Sequence, residues 1–227
     1  MENVKKIDIG IDVIDNLKVI HKVNQVLSER KLKQDIREDS LGNIGRGLRQ
    51  DETTSLEFVA AGLSRSGHVF VIQKMEILDR ENPTICYDAF YLYKTTNGKV
   101  RKMLLVNSDF NIANKQNPYL VAIESTDVAI RQNVASQVLN FAEHDLNKYY
   151  GAEKITGDFC PFGPNENPRA AYNFYMKNGY AINAKTFVLT KKISMDKILA
   201  YNNIIAKEEG ITLLPSLAAN MAAAKVK

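Results

Sequence analysis

The chain has 227 residues, of which 45% are hydrophobic and 25% are charged, and its formal net charge is +4. A chain of this length can bury one sizeable core, and the composition is ordinary for a soluble globular protein. The small basic excess does not indicate nucleic-acid binding, and no apolar run approaches the roughly 20 residues of a membrane span. The N-terminal sequence MENVKKIDIG also lacks the apolar segment of a signal peptide, so we expect a cytoplasmic protein.

Cysteine and histidine, the residues most often used for zinc binding, show no ligand spacing in this chain. Cys86 and Cys160 are far apart, and so are His21, His68 and His144. This pattern predicts no metal site and no histidine-activated nucleophile. Two reduced thiols also agree with a cytoplasmic protein.

The first predicted elements are a weakly alternating strand at residues 3–10 and a helix at residues 11–34. The helix is predicted because apolar residues recur along it at three- and four-residue spacing. Residues 35–54 are polar and rich in glycine, which favours a long connection, and they contain G-x-x-G-x-G at residues 42–47. A dinucleotide fingerprint needs G-x-G-x-x-G between a strand and a helix. The reversed spacing therefore favours a substrate-side loop over a phosphate-binding loop.

Strands dominate the middle of the chain, where β-branched and aromatic residues lie between glycine-containing turns. The sequences Ser64-Arg-Ser-Gly67 and Thr96-Asn-Gly98 are predicted to be turns between antiparallel strands. Polar residues 108–118 are predicted to separate this group from a strong strand that follows. The predicted strands are residues 56–63, 68–78, 87–94, 100–106 and 119–124.

Helical periodicity returns after Asp127, and helices then alternate with strands. This order predicts a layered α/β (α+β) domain over residues 1–193, followed by a C-terminal helical extension at residues 194–227. The predicted elements are a helix to about residue 150 that Gly151 stops, a strand at 154–159, a helix from Pro168 to Gly179, a strand at 180–191, a helix at 194–209 and an Ala-rich helical tail.

The stretch NPRAAYNFYMKNGY, residues 167–180, contains the most specific motif of the chain. It resembles a signature of the GCN5-related N-acetyltransferase (GNAT) superfamily, Asn-x-x-Ala-x-x-Leu/Phe-Tyr-x-Lys-x-Gly-Phe/Tyr. The Asn is displaced by one position, because Asn167 lies eight residues before Tyr175 where the family usually has seven. The matching residues are Ala171, Phe174, Tyr175, Lys177, Gly179 and Tyr180.

A second family signature, Arg/Gln-x-x-Gly-x-Gly/Ala, opens a helix after a strong strand and holds the coenzyme A pyrophosphate. Backbone N–H groups and the helix dipole attract the phosphates, and glycine lets them approach the backbone. The corresponding residues here are Arg131-Gln-Asn-Val134-Ala-Ser136, with Val134 in place of the first glycine. A β-branched residue there would resist positive φ and add bulk beside the phosphate. A register that starts at Gln132 and puts Ala135 at the glycine position is sterically milder, and both registers stay open.

The resemblance covers residues 119–191 and implies roles for particular side chains. Tyr175 corresponds to the family's general acid toward the coenzyme A sulfur, and Glu124 is a candidate general base at the end of the central strand. Each also has a structural interpretation, Tyr175 as a packing residue and Glu124 as a surface carboxylate. The implied cofactor-binding residues are Arg131, Gln132, Asn133, Val134, Ala135, Ser136 and Asn167.

The resemblance further implies a mixed central sheet flanked by helices and a direct acyl transfer without a covalent acyl-enzyme. The donor would be acetyl-CoA or another acyl-CoA, bound between the strands at 119–124 and 154–159. The acceptor would be a small-molecule or peptide amine. Two alternatives remain: a transferase that takes its acyl group from acyl carrier protein, and a catalytically silent binding module. The acyl chain length and the oligomeric state stay open.

Overall fold

The structure, a computed structural model, describes residues 6–27, 34–35, 53–77, 80–160, 167–193, 207–208, 211–214 and 217. Within these residues the helices are α1 (Leu17–Leu27), α2 (Val134–Tyr150) and α3 (Pro168–Lys177). The strands are β1 (Asp12–Val13), β2 (Gln34–Asp35), β3 (Thr53–Leu63), β4 (Val69–Ile77), β5 (Thr84–Lys94), β6 (Val100–Asn111), β7 (Tyr119–Ser125), β8 (Lys154–Asp158), β9 (Ala181–Ile182), β10 (Val188–Lys192), β11 (Lys207–Glu208) and β12 (Ile211–Leu213).

These strands join one mixed sheet, which confirms the predicted α/β (α+β) class. From β3 to β7, neighbouring strands are antiparallel and follow one another along the chain. β7 and β8 are parallel and are connected through α2, and β10 and β9 complete that side. On the other side β12 pairs with β3 and carries β11, while β1 and β2 pair with β5 and β6.

Helices pack on both faces of the sheet, and each face has its own core. On the first, which we call the α2 face, α2 and one side of α3 pack on strand residues such as Phe70 and Tyr87. On the second, the α1 face, α1 packs on strand residues such as Val71, Phe90 and Leu104. Consecutive strand residues point to opposite faces, so β4, β5 and β6 contribute to both cores.

The N-terminal boundaries differ from the prediction. Residues 6–9 are not a strand, and the two residues of β1 pair with β5 instead. α1 begins at Leu17 rather than at residue 11, because Asn16 caps it by accepting the backbone N–H of Lys18 at 3.0 Å. The helix ends at Leu27, and residue 34, its predicted last residue, lies in β2. The glycine-rich motif at residues 42–47 lies outside the described residues.

Two predicted strands also have different lengths in the structure. β6 continues to Asn111, past the predicted end at residue 106, because its polar residues find partners within the sheet: the Ser108 hydroxyl donates to the carbonyl of Tyr87 at 2.8 Å. The strand predicted at 180–191 is a hairpin of β9 and β10. Asn183 makes the turn, since its side chain accepts the backbone N–H groups of Lys185 and Thr186.

The C-terminal part of the chain contributes strand where a helix was predicted. Residues 207–208, expected at the end of the helix at 194–209, form β11, which pairs with β12. β12 runs parallel to β3, and its residues Ile211 and Leu213 are buried against the α1 face. Most of the predicted extension lies outside the described residues, so the domain boundary between residues 193 and 194 stays a prediction.

Candidate active site

β7 and β8 are neighbouring parallel strands, and their pairing is very short. The register pairs Tyr119 with Thr156 and Leu120 with Gly157. β7 then continues to Ser125 with β6 on one edge, and no described strand pairs with its other edge. We call the space beside this edge the β7–β8 gap.

Gly157 permits the close contact at the base of the β7–β8 gap. A Cβ atom on residue 157 would lie 2.9 Å from the carbonyl oxygen of Leu120, which is closer than a carbon and an oxygen normally approach. The Tyr119 hydroxyl lies close enough to the carboxylate of Asp158 for the two groups to interact across the strands. Burial and this carboxylate together raise the pKa of Tyr119 to about 12. The pairing of the two strands therefore ends after Leu120 and Gly157.

A β-bulge lies in β7, in its pairing with β6. Phe110 pairs with Leu120 and Asp109 with Ala122, so Val121 is an extra residue in β7. A bulge leaves the extra residue out of the regular ladder and turns the local backbone. The Val121 side chain is 47% exposed, as expected for a residue displaced from the sheet core. The bulge thus interrupts the β6–β7 ladder at the residue that follows the last β7–β8 pair.

The loop that follows β7 presents the N-terminus of α2 at the same end of the strand. Arg131 and Asn133 have positive φ values of 62° and 61°, and Asn133 is the N-cap residue. The Asn133 side chain makes no capping hydrogen bond. The first backbone N–H groups of a helix have no partner within the helix, and they carry a positive partial charge. This helix end therefore has the physical properties of an anion-binding site.

The position of Val134 could not be foreseen from the sequence motif. It is the first residue of α2, its side chain is fully buried in the core of the α2 face, and its φ is not positive. The left-handed conformation falls on Asn133, a residue type that adopts it more readily than a β-branched one. The valine therefore adds no bulk on the outer side of the helix end. Whether a phosphate binds at this helix end stays a prediction.

Two of the predicted cofactor-binding side chains fasten the loop to the rest of the protein. The Gln132 side-chain oxygen accepts the backbone N–H of Ser66 at 2.9 Å, and its backbone carbonyl accepts that of Arg65 at 3.0 Å. The Ser136 hydroxyl accepts an N–H of Asn178 at 3.2 Å, which ties α2 to the end of α3. The loop conformation is thus fixed from two sides.

The other predicted residues of this region lie in varied positions. Arg131 is exposed, and Ala135 is half-buried against the core of the α2 face. Asn167 is the N-cap of α3, where its side-chain oxygen accepts the backbone N–H of Ala170 at 3.0 Å. This cap explains why Asn167 precedes Pro168, which suits the first position of a helix.

Tyr175 is half-buried on α3, beside the end of β8. Its ring packs edge to face on Phe159, at 6.1 Å between centroids, and on Tyr180, at 5.7 Å. Phe159 directly follows β8, so this aromatic group lies along the β8 side of the gap, on the α2 face. Tyr180 is buried, and its hydroxyl donates to Glu143 at 3.0 Å. Tyr175 is therefore held in one orientation by rings on two sides.

Glu124 is exposed on β7, and its neighbours include polar residues that sequence reasoning missed. It lies opposite Asn107 of β6, and the Asn107 amide donates to a carboxylate oxygen of Asp88 on β5 at 2.8 Å. Burial raises the pKa of Asp88 to about 7, with Asp109 adding to the rise while Asn107 and Lys102 oppose it. The signal was available in the sequence, because Asp88 interrupts the otherwise apolar strand ICYDAFYLY.

Two lysine side chains on the α2 face form ion pairs with carboxylates of the protein, unlike the exposed Glu124. Lys74 donates to Asp145 at 2.7 Å, and the Tyr87 hydroxyl donates to the same carboxylate oxygen at 2.7 Å. Burial lowers the pKa of the Lys74 ammonium, but the hydrogen bond and charge of Asp145 more than offset it and leave the pKa raised. Lys191 pairs in the same way with Glu143. Both carboxylates therefore have their partners within the protein.

The described ranges contain no group of three or more His, Cys, Asp or Glu side chains placed to hold a metal ion. Within the same ranges, no helix has both the length and the apolar character needed to cross a membrane.

Comparisons with known proteins give similarities to solved structures only. No model of a protein family matches the chain, and no curated protein matches it.

The chain is similar to an acyl-CoA N-acyltransferase described as putative from Klebsiella pneumoniae, with 10% identity, a TM-score of 0.38, and 52% of this chain and 77% of that one covered. It is similar to AtaTR bound with AcCoA, with 11% identity, a TM-score of 0.36, and 52% and 71% covered. It is also similar to Tetrahymena GCN5, with 9% identity, a TM-score of 0.34, and 51% and 71% covered. At these values the similarities say nothing about the reaction, the substrate or the partners of this chain.

Proposed function

We propose that this protein is an N-acyltransferase that moves an acyl group from acyl-coenzyme A to an amine by direct transfer. The observation that supports this most is the parallel pair β7–β8, which separates at the end where α2 presents its N-terminus. Ligands of open α/β sheets bind outside the carboxyl ends of parallel strands, and helix N-termini favour phosphate groups. One elongated ligand with a diphosphate at one end fits both features.

The donor under this proposal is acetyl-CoA or another acyl-CoA. Its diphosphate would accept hydrogen bonds from the backbone N–H groups of Val134, Ala135 and Ser136. The exposed guanidinium of Arg131 would pair with phosphate oxygens, for which its planar set of donors is well suited. The thioester end would lie in the β7–β8 gap. Gln132 and Asn167 would act indirectly, by fixing the loop and α3 respectively.

The reaction needs three groups at the gap. Backbone N–H groups at the Val121 bulge would polarise the thioester carbonyl. Glu124, on the α1 face, would take a proton from the amine, and Tyr175, on the α2 face, would give a proton to the departing thiolate. A thioester lying between β7 and β8 has these two side chains on its opposite sides. Asp158 is less suited as the base, because it is bonded to Tyr119.

The alternatives carried from the sequence differ in what the protein binds. An acyl carrier protein donor depends less on the α2 N-terminus, and a binding module would need neither Glu124 nor Tyr175. The departure at Val134 was the main reason to consider a lost coenzyme site, and the burial of its side chain in the core supports a retained site. Location in the cytoplasm stays a prediction from the sequence.

Calorimetric titration tests the donor directly, with acetyl-CoA, a long-chain acyl-CoA and acyl carrier protein as ligands. We expect an acyl-CoA to bind, and Arg131→Glu to weaken its binding about tenfold, because a charge pair with phosphate contributes about 1–2 kcal/mol. Lys185→Glu is the matched control, since it changes the net charge equally at an exposed position in the β9–β10 turn. Failure of every acyl-CoA to bind the folded protein at millimolar concentration would overturn the proposal. Binding of acyl carrier protein alone would replace the donor.

A further inference from the structure

α3 buries less of its apolar surface than α2, the other helix of the α2 face. Nine residues of α2 are buried, whereas none of the ten residues of α3 is. α3 packs on the core through the half-buried Ala171, Phe174 and Tyr175. Tyr172 and Met176 lie one turn apart on its outer side, and each is 46% exposed. The outer side of this helix is therefore partly apolar.

The turn between β9 and β10 adds a third exposed apolar side chain to this surface. Phe187 is 46% exposed, and its backbone carbonyl accepts the N–H of Phe159 at 2.6 Å. The Phe159 ring in turn packs edge to face on Tyr172, which places Phe187 beside α3. The φ of Phe187 is 55°, in the left-handed region that a bulky side chain adopts at a cost in free energy. Exposure and backbone conformation both disfavour phenylalanine here, which indicates a use outside the fold.

The charged residues of this segment are all cations. Between residues 167 and 192 the sequence contains five Lys or Arg residues and no Asp or Glu. Of the five, Lys191 is buried in its pair with Glu143. Three others are exposed, and none of these three forms an ion pair with a described residue. These three cations and the three exposed apolar side chains make up what we call the α3 patch: Arg169, Tyr172, Met176, Lys177, Lys185 and Phe187.

An anionic surface is the partner that fits the charge of the α3 patch. A second copy of the same patch would bring like charges together, which costs free energy. The surface of an anionic bilayer attracts Lys and Arg side chains, and its headgroup region accepts apolar side chains. Tyrosine suits that region, because its ring is apolar and its hydroxyl can stay hydrated. The composition of the patch therefore matches a bilayer better than a second copy of the protein.

The backbone of the β9–β10 turn favours a bilayer over an acidic protein. The Asn183 side chain accepts the backbone N–H groups of Lys185 and Thr186. The Asn183 backbone carbonyl accepts the N–H of Phe187 at 2.8 Å. A backbone polar group without a partner is costly in lipid, whereas a protein interface can supply water to it. The turn can thus carry Phe187 into a headgroup region with these groups already satisfied.

We propose that the α3 patch binds the surface of a lipid bilayer that contains anionic headgroups. Its three apolar side chains enter the headgroup region, and its three cations pair with lipid phosphate groups. Tyr172 and Tyr175 both pack on the Phe159 ring, so the bound bilayer lies next to the β8 side of the β7–β8 gap. The inference does not depend on the proposed acyl transfer.

Cosedimentation tests the binding, with vesicles of phosphatidylcholine alone and of equal parts phosphatidylcholine and phosphatidylglycerol. We expect the protein to bind the mixed vesicles about a hundredfold more tightly than the neutral ones, since each of three cations contributes about fivefold. Added salt should weaken this binding. Lys177→Gln should weaken it about fivefold. Lys22→Gln is the matched control, being the same change at an exposed position of α1 on the opposite face, and should leave it unchanged.

Phe187→Asn separates lipid binding from folding. Asparagine adopts the left-handed conformation more readily, so this variant should resist urea at least as well as wild type and yet bind mixed vesicles about tenfold more weakly. Tyr172→Ser should also weaken binding, whereas Tyr149→Ser, the same change at an exposed position near the far end of α2, should not.

Two results would overturn the inference directly. One is no binding of the wild-type protein to mixed vesicles at low salt, and the other is unchanged binding in Phe187→Asn or Lys177→Gln. Acyl carrier protein is the soluble acidic competitor in the same assay. Binding of acyl carrier protein that these variants weaken, without any binding of vesicles, would assign the α3 patch to an acidic protein and overturn the inference as well.

Discussion

The charged side chains on the two faces of the central sheet have different kinds of partner. On the α2 face, Lys74 and Lys191 are each matched by a carboxylate that also accepts a tyrosine hydroxyl, from Tyr87 and Tyr180. On the α1 face, Asp88 is held by an amide and keeps a pKa of about 7. The first arrangement gives both lysines a partner within the protein, while the second ends in an exposed carboxylate, Glu124.

The difference separates groups that hold the fold from groups that remain for a ligand. A buried ion pair with complete hydrogen bonding is costly to break, because removal of one partner leaves a charge in a low-dielectric interior. A partly exposed carboxylate with a raised pKa lowers the stability of the folded protein when it is ionised. Carboxylates with raised pKa values are common at functional sites. We therefore expect substitutions in the ion pairs of the α2 face to change folding, and substitution of Glu124 on the α1 face to change the reaction.

The largest effect is expected from breaking a pair on the α2 face. Glu143→Gln leaves the ammonium of Lys191, which is 8% exposed, without its carboxylate. The free energy of unfolding should fall by about 3–5 kcal/mol, as measured by urea denaturation. The triple variant Glu143→Leu, Lys191→Met and Tyr180→Phe should recover most of this loss, since it leaves neither an unmatched charge nor the Tyr180 hydroxyl without its acceptor. A loss below about 1 kcal/mol, no larger than for the exposed Glu153→Gln, would contradict the assignment of this pair to folding.

A smaller change, this time a gain in the free energy of unfolding at pH 8, is expected from Asp88→Asn. The pKa of Asp88 is raised from 3.8 to about 7, so between these pH values the folded protein holds a proton that the unfolded chain has released. The free energy of unfolding contributed by Asp88 therefore falls as pH rises through this window, by about 2–4 kcal/mol in total. Asp88→Asn removes this fall and should be more stable than wild type at pH 8 but not at pH 4.

Urea denaturation at pH 4, 6 and 8 measures the Asp88 contribution as the difference between wild type and variant. The difference should grow with pH, because other titrating groups contribute equally to both proteins. A constant difference across the three pH values would show that Asp88 titrates in its ordinary range. The Asp88 carboxylate on the α1 face would then be no different from the carboxylates of the matched pairs on the α2 face.

Much of the fold could be predicted from the sequence, because it depends on local patterns. Period-two alternation located β3 to β7, apart from the longer C-terminal end of β6, and Gly151 ends α2 as predicted, in a left-handed conformation. The predicted hairpin turn before β6 is also present, closed by Thr95. The division of residues 180–191 into two strands was missed, because the Asn183 side chain outweighs the strand propensity of its neighbours.

The site was harder to predict, because its geometry depends on contacts between distant residues. The sequence could not show that Val134 points into the core, since this depends on how α2 sits on the sheet. Nor could it show that Asn107 lies between Asp88 and Glu124, because that requires the registers of three strands. The motif around Tyr175 predicted the helix and its packing, while its catalytic role stays a prediction.

The central claim is that an acyl-coenzyme A lies between the α2 N-terminus and the β7–β8 gap. Backbone amide NMR shifts during titration with acetyl-CoA test this most directly, because they report binding residue by residue without a known acceptor. We predict the largest changes at two separate segments, residues 121–125 of β7 and residues 131–136 at the start of α2. Changes confined to other parts of the protein, or none at millimolar acetyl-CoA, would contradict the account.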